Sequence, residues 1–100
     1  MREIDLGVYE WAGKAERGSV AVALRDDATG WVLHLVDQYW NLYGSSVEPE
    51  RVKKKAIPLT EAECTSENLV KVICKATGIT VPENKLKEKL EGEEPCSVKL

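Results

Sequence analysis

His34 is the only histidine of the chain, and Cys64, Cys74 and Cys96 are its only cysteines. Together such side chains could close a tetrahedral zinc site, or supply a thiolate nucleophile and its base. The spacing, Cys64-x9-Cys74-x21-Cys96, contains no close cysteine pair, the usual start of a structural zinc site. No metal and no other cofactor is expected. Cys74 falls in the apolar stripe of a predicted helix, where a buried thiol acts as a small hydrophobe. Cys64 and Cys96 fall at loop or terminal positions. A small thiol-dependent enzyme, with one of these two as nucleophile and His34 as base, is the catalytic alternative. His34 lies between Leu33 and Leu35 in a predicted strand, where an ordinary sheet-face histidine is the simpler reading. The odd cysteine count favours reduced thiols, and Met-Arg-Glu-Ile-Asp lacks the layout of a signal peptide. The chain is read as cytoplasmic.

Carboxylates offer less. Asp26 and Asp27 fall in a hairpin turn, where aspartate is expected for backbone reasons. Asp37 is placed to cap a turn before Tyr39-Trp40. The glycines form no GxGxxG or GxxxxGK loop, and HExxH, GxSxG and EF-hand patterns are absent from the sequence. A non-catalytic protein is the expectation.

The positive signal is aromatic. All six aromatic residues lie between Tyr9 and Tyr43, none is phenylalanine, and the last 57 residues have none. Tyrosine and tryptophan join a polar tip to a large apolar body, which suits partly buried faces and binding surfaces. Tyr9, Trp11 and Trp40 with Lys53-Lys54-Lys55 could make a single-strand nucleic-acid binder by stacking and phosphate contact. Charge argues against it. Residues 1–43 hold four basic and seven acidic side chains, whereas residues 44–100 hold ten of each. A face that works by phosphate neutralisation is normally basic. The alternative is a protein-binding patch, because tryptophan and tyrosine are enriched at interface hot spots. The expected contact residues are Trp11, Asp37, Tyr39, Trp40 and Tyr43. A minor core beneath the segment 38–50 is the rival role for these aromatics, and a homodimer is a further use of such a face.

The elements that must position these residues follow from periodicity. At 100 residues, with 43% hydrophobic and 31% charged residues, the chain reads as one domain of an ordinary globular protein. Its hydrophobic runs are too short to span a membrane. Residues 3–11 alternate, with Ile4, Leu6 and Val8 expected on one face and Asp5, Gly7, Tyr9 and Trp11 on the other. Ser19–Leu24 and Trp31–Val36 flank a turn ending in Gly30, a hairpin signature. Residues 37–46 fit either one helical turn or a longer strand. Arg51–Leu59 is a candidate edge strand, since lysines and Pro58 suit an edge. Thr60-x-x-Glu63 and Thr80-x-x-Glu83 fit capping boxes. Leu69, Val72, Ile73 and Ala76 form one helical face, and Gly78 sits at its C-cap position. A lesser helix spans about 82–91, and residues 96–100 are a candidate last strand or a tail.

Strands first and helices after them predict an α+β fold. A mainly antiparallel sheet, with an N-terminal strand, a hairpin and a candidate fourth edge strand, would be packed by one main and one minor C-terminal helix. The sheet face away from the helices would carry much of the aromatic set. The functional expectation is a small protein-binding regulator, adaptor or inhibitor of a larger assembly. Small acidic inhibitors from phages and other mobile elements, anti-CRISPR proteins among them, share this size and lack of motifs, a likeness of class alone.

Overall fold

The computed structural model describes residues 2–27, 30–41, 43 and 48–93. Four strands, β1 (Arg2–Ala12), β2 (Glu16–Asp27), β3 (Gly30–Asn41) and β4 (Arg51–Pro58), form an antiparallel sheet in the order β1-β2-β3-β4. A short 3-10 turn (Glu61–Glu63) leads to α1 (Ser66–Thr77) and α2 (Glu83–Leu90). The α+β class, the antiparallel sheet, the edge position of β4 and the two C-terminal helices are as expected from the sequence.

Both hairpin strands are longer than expected, running until Asp27 faces Gly30 in the ladder. Gly30 adopts φ 138° at that junction, a conformation open to glycine at little cost. At the other end β3 continues to Asn41. Residues 37–41 are therefore extended, and Tyr39 and Trp40 point to opposite sides of the sheet.

A β-bulge corrects the expected face of β1. The register slips between Asp5 and Gly7, where Gly7 takes φ 100° and its N–H donates to Asp5 Oδ1 at 2.9 Å. One extra residue reverses the inside–outside order of everything beyond it. Ile4 and Leu6 are buried as expected, but Val8 is 62% exposed. Tyr9 takes the inward place, packing against the core and donating its hydroxyl hydrogen to Leu6 O at 2.6 Å.

The core lies between the sheet and the helices. Ile4, Leu6, Val20, Val22, Leu24, Leu33 and Leu35 meet Leu69, Ile73, Val81 and Leu86. Each fully buried aliphatic side chain contributes about 1.5–3 kcal/mol. The helix α1 is capped by Thr65, whose side chain accepts from Asn68 N at 3.2 Å. The Thr60–Glu63 box forms on the preceding 3-10 turn, where Glu63 Oε1 accepts from Thr60 N at 2.9 Å. No such box starts α2: the helix begins one residue after Pro82, and its N-cap makes no side-chain hydrogen bond. Proline at that position leaves no side-chain acceptor for the first turn. Gly78 closes α1 as expected, at φ 77° with its N–H on Cys74 O at 2.7 Å. Residues 96–100, the candidate last strand, lie outside the described residues.

Candidate functional site

Because the strands are in register, the helix-side face of the sheet can be read as rows across all four strands. Ile4, Leu24, Leu33 and Ile57 make an apolar row beneath the helices. Two rows further along come Tyr9, Val20, Asp37 and Lys53, and then Trp11, Gly18, Tyr39 and Arg51. The face thus turns from aliphatic to charged and aromatic where the helical cover ends. An open cleft of about 680 Å³ occupies this end. Trp11, Tyr39, Asp37, Glu16, Arg51 and Lys53 line the sheet side, and Thr77–Thr80, around the Gly78 cap, form the opposite wall.

The last row is held together by the residue with no side chain. A Cβ at Gly18 would sit only 2.4 Å from Trp11 Nε1, so the indole lies directly on the Gly18 backbone. That close approach lets Trp11 and Tyr39, two strands apart, bring their ring centroids to 6.3 Å at a 39° tilt. Tyr39 is fixed from two further directions. The Arg51 guanidinium stacks 4.3 Å from its ring centroid, and its hydroxyl donates to Glu16 Oε2 at 2.7 Å. The Glu16 hydrogen bond is the main cause of a raised phenol pKa, with desolvation second. The Tyr9 phenol is also raised, mainly by burial and then by the Asp5 charge. Asp37 and Lys53 are cross-strand neighbours on the cleft floor, yet among the described residues neither belongs to an ion pair.

The five expected contact residues divide. Trp11, Asp37 and Tyr39 are brought together in the cleft. Trp40 is on the opposite face, with the Arg17 guanidinium 4.5 Å from its ring centroid. Tyr43 follows β3 and is 87% exposed. The expectation that the aromatics gather on the face away from the helices is reversed: Tyr9, Trp11, Trp31 and Tyr39 are on the helix side. Trp31 packs against the core at the far end, with Arg2 5.6 Å from its ring centroid and bridged to Glu93 at 2.9 Å. Glu16, Gly18 and Arg51 were not expected at a site. A glycine within a strand often marks a close approach, which is the one sequence signal Gly18 carries.

Among the described residues the catalytic candidates are not brought together. Cys64 is disulfide-bonded, which corrects the reading of reduced thiols, and Cys74 is a free thiol on α1. Cys96 lies outside the described residues. His34 is on the outer face, between Ala23 and Ala56 in the ladder, with the sheet separating it from the helical layer. Asp26 and Asp37 share a face but lie six residues apart in the ladder, about 20 Å. Buried Leu33 and Leu35 stand between them. Among the described residues no three His, Cys, Asp or Glu side chains group as metal ligands. No helix among them is long and apolar enough to cross a membrane. The lysine run alternates as a strand must: Lys53 and Lys55 face the helices and Lys54 faces outward. Lys55 Nζ donates to Ala76 O at 2.5 Å, so this lysine braces the end of α1.

No protein-family model, no curated protein and no solved structure matches the chain.

Proposed function

We propose that the protein is a small non-catalytic binding protein, a regulator, adaptor or inhibitor of a larger assembly, and that it holds its protein target in the cleft on the helix side of the sheet. The observation that carries this reading is the row Trp11–Gly18–Tyr39–Arg51. It places two large aromatic rings at an open cleft and fixes one of them by a stacked guanidinium and a carboxylate. A prepositioned aromatic anchor loses little conformational freedom on binding, the property that concentrates interface energy on a few tryptophans and tyrosines. Asp37 and Lys53 supply opposite charges beside it, which suits a polypeptide carrying both signs. Trp40 and Tyr43 are outside the proposed surface.

Capture from native lysate tests the reading. Trp11→Ala and Tyr39→Ala are expected to lose target that the wild type recovers, while both variants stay folded. Equal recovery by all three would remove the cleft from the account.

Single-strand nucleic-acid binding is the second reading, favoured by one observation: Arg51 and Lys53 flank the same aromatic pair. Glu10, Glu16 and Asp37 stand in that cleft and oppose phosphate. A salt titration separates the two. Phosphate-driven affinity falls steeply with salt, whereas an aromatic protein interface weakens far less.

A further inference from the structure

The second face of the sheet is built differently. Among the described residues no helix lies on it, and the core contacts are all on the helix side. Its middle rows are Val8, Ala21, Val36 and Lys54, and then Asp5, Ala23, His34 and Ala56. Its end charges are largely matched within the chain. Arg25 bridges Glu3 at 2.9 Å, and Arg17 stacks on Trp40. What remains is a field of small and apolar residues, Val8, Ala21, Ala23, Val36 and Ala56, with Asp5, His34 and Lys54 among them.

We infer that this outer face binds a second copy of the chain, sheet on sheet, about a two-fold axis parallel to the strands and between β2 and β3. Two features on the face select this occupant. The first is shape. The outward residues at the middle of β2 are small, Ala21 and Ala23 next to Ser19, which is already buried, whereas those opposite them on β3 are larger, Val36, His34 and Gln38. A two-fold axis along the strands lays each β2 on the β3 of the other copy, row for row, so every large side chain meets a small one. The second feature is charge. The same axis lays β1 on β4. Lys54 of one copy then lies over Val8 of the other, beside outward-facing Asp5. An axis across the strands would instead lay β1 on β1 and repeat like on like.

The size is sufficient for a reversible dimer. About ten residues at ~3.3 Å along each strand and four strands at ~4.8 Å give a face of roughly 600 Å². Standard interfaces bury about 800 Å² per partner. The face is thus toward the lower end of stable contacts, and a micromolar dimer is the expectation. Two sheets packed this way would form an eight-stranded sandwich with both helical layers, and both clefts, turned outward.

Sedimentation velocity across the micromolar range is the test. The wild type should pass from monomer to dimer as concentration rises. Ala21→Lys should weaken the dimer by at least about tenfold, because each copy then buries an unpaired ammonium. At submicromolar concentration, where both are monomeric, its circular dichroism and melting should match the wild type. A wild type that stays monomeric throughout overturns the inference, leaving the face to another occupant. So does a folded Ala21→Lys that dimerises normally. Should Ala21→Lys fail to fold, cross-linking decides. In a Cys74→Ser background, Ala21→Cys mixed with Val36→Cys should give an intermolecular disulfide that neither gives alone. A dimer without that cross-link overturns the axis. The cleft proposal stands apart from these outcomes, since a monomeric Ala21→Lys should still capture its target.

Discussion

Gly18→Ala probes the cross-strand row most sharply. The new Cβ would lie 2.4 Å from Trp11 Nε1, 2.5 Å from Cε2 and 2.6 Å from Cζ2. Favourable heavy-atom contacts begin near 3.5 Å, so the indole must retreat by about 1 Å or more. The backbone does not resist the change, because Gly18 is not among the glycines at positive φ. Three effects set the size. Removing a glycine from a strand stabilises by about 0.5–1 kcal/mol. Breaking the Trp11–Tyr39 ring pair costs about 0.5–1.5 kcal/mol. Overpacking costs about 1–3 kcal/mol, and the lower end applies because Trp11 is only partly buried, lies on an edge strand and can swing outward. The net is a loss of about 1 kcal/mol, which leaves the fold intact while dismantling the cleft floor. Urea denaturation reads the stability. Indole emission, in a background of Trp31→Phe and Trp40→Phe, reads Trp11 alone and should shift to the red. A variant with higher stability and unshifted emission would show that Trp11 does not rest on Gly18, and the reasoning would fail.

Three further outcomes follow from the structure. Glu16→Gln should bring the Tyr39 phenol back toward its ordinary value of 10.0, since the carboxylate is the main cause of its rise, and phenolate absorbance reads this directly. A raised tyrosine pKa means that the folded chain holds the proton more tightly. Stability therefore falls as pH climbs past 10.0, and Glu16→Gln should lessen that fall. At the acid end Glu63 titrates low, mainly because Thr60 N–H donates to its carboxylate. Its contribution is complete above the ordinary value of 4.5 and is lost as pH drops through the lower folded value. Glu63→Gln should flatten this limb in denaturation curves taken at falling pH. Leu69→Ala empties a fully buried position between α1 and the sheet, and should cost about 2–5 kcal/mol by urea titration.

Much of the architecture was legible because it rests on periodicity and turn chemistry. The β2–β3 hairpin, the α1 stripe and the Gly78 cap each follow from a short local pattern. The face of β1 did not, since a bulge at Asp5 and Gly7 is one glycine to a reader of sequence, yet it exchanges Val8 for Tyr9 in the core. The candidate cleft was half legible for the same kind of reason. Trp11, Asp37 and Tyr39 were found by residue type. Trp40 was grouped with them because its spacing from Tyr39 and Tyr43 suits a helical turn, and only the extension of β3 to Asn41 sends it to the other face. Gly18, Glu16 and Arg51 become site residues through pairing with positions 11, 39 and 41, which is long-range register. Count alone misleads for the thiols: an odd number of cysteines does not preclude a disulfide at Cys64.

The most direct measurement compares Trp11→Ala with Trp40→Ala in the same capture from native lysate. The two substitutions remove the same side chain from opposite faces of one sheet. The expected result is that Trp11→Ala loses the target and Trp40→Ala keeps it. Loss with Trp40→Ala and retention with Trp11→Ala would place the binding surface on the outer face and contradict the cleft.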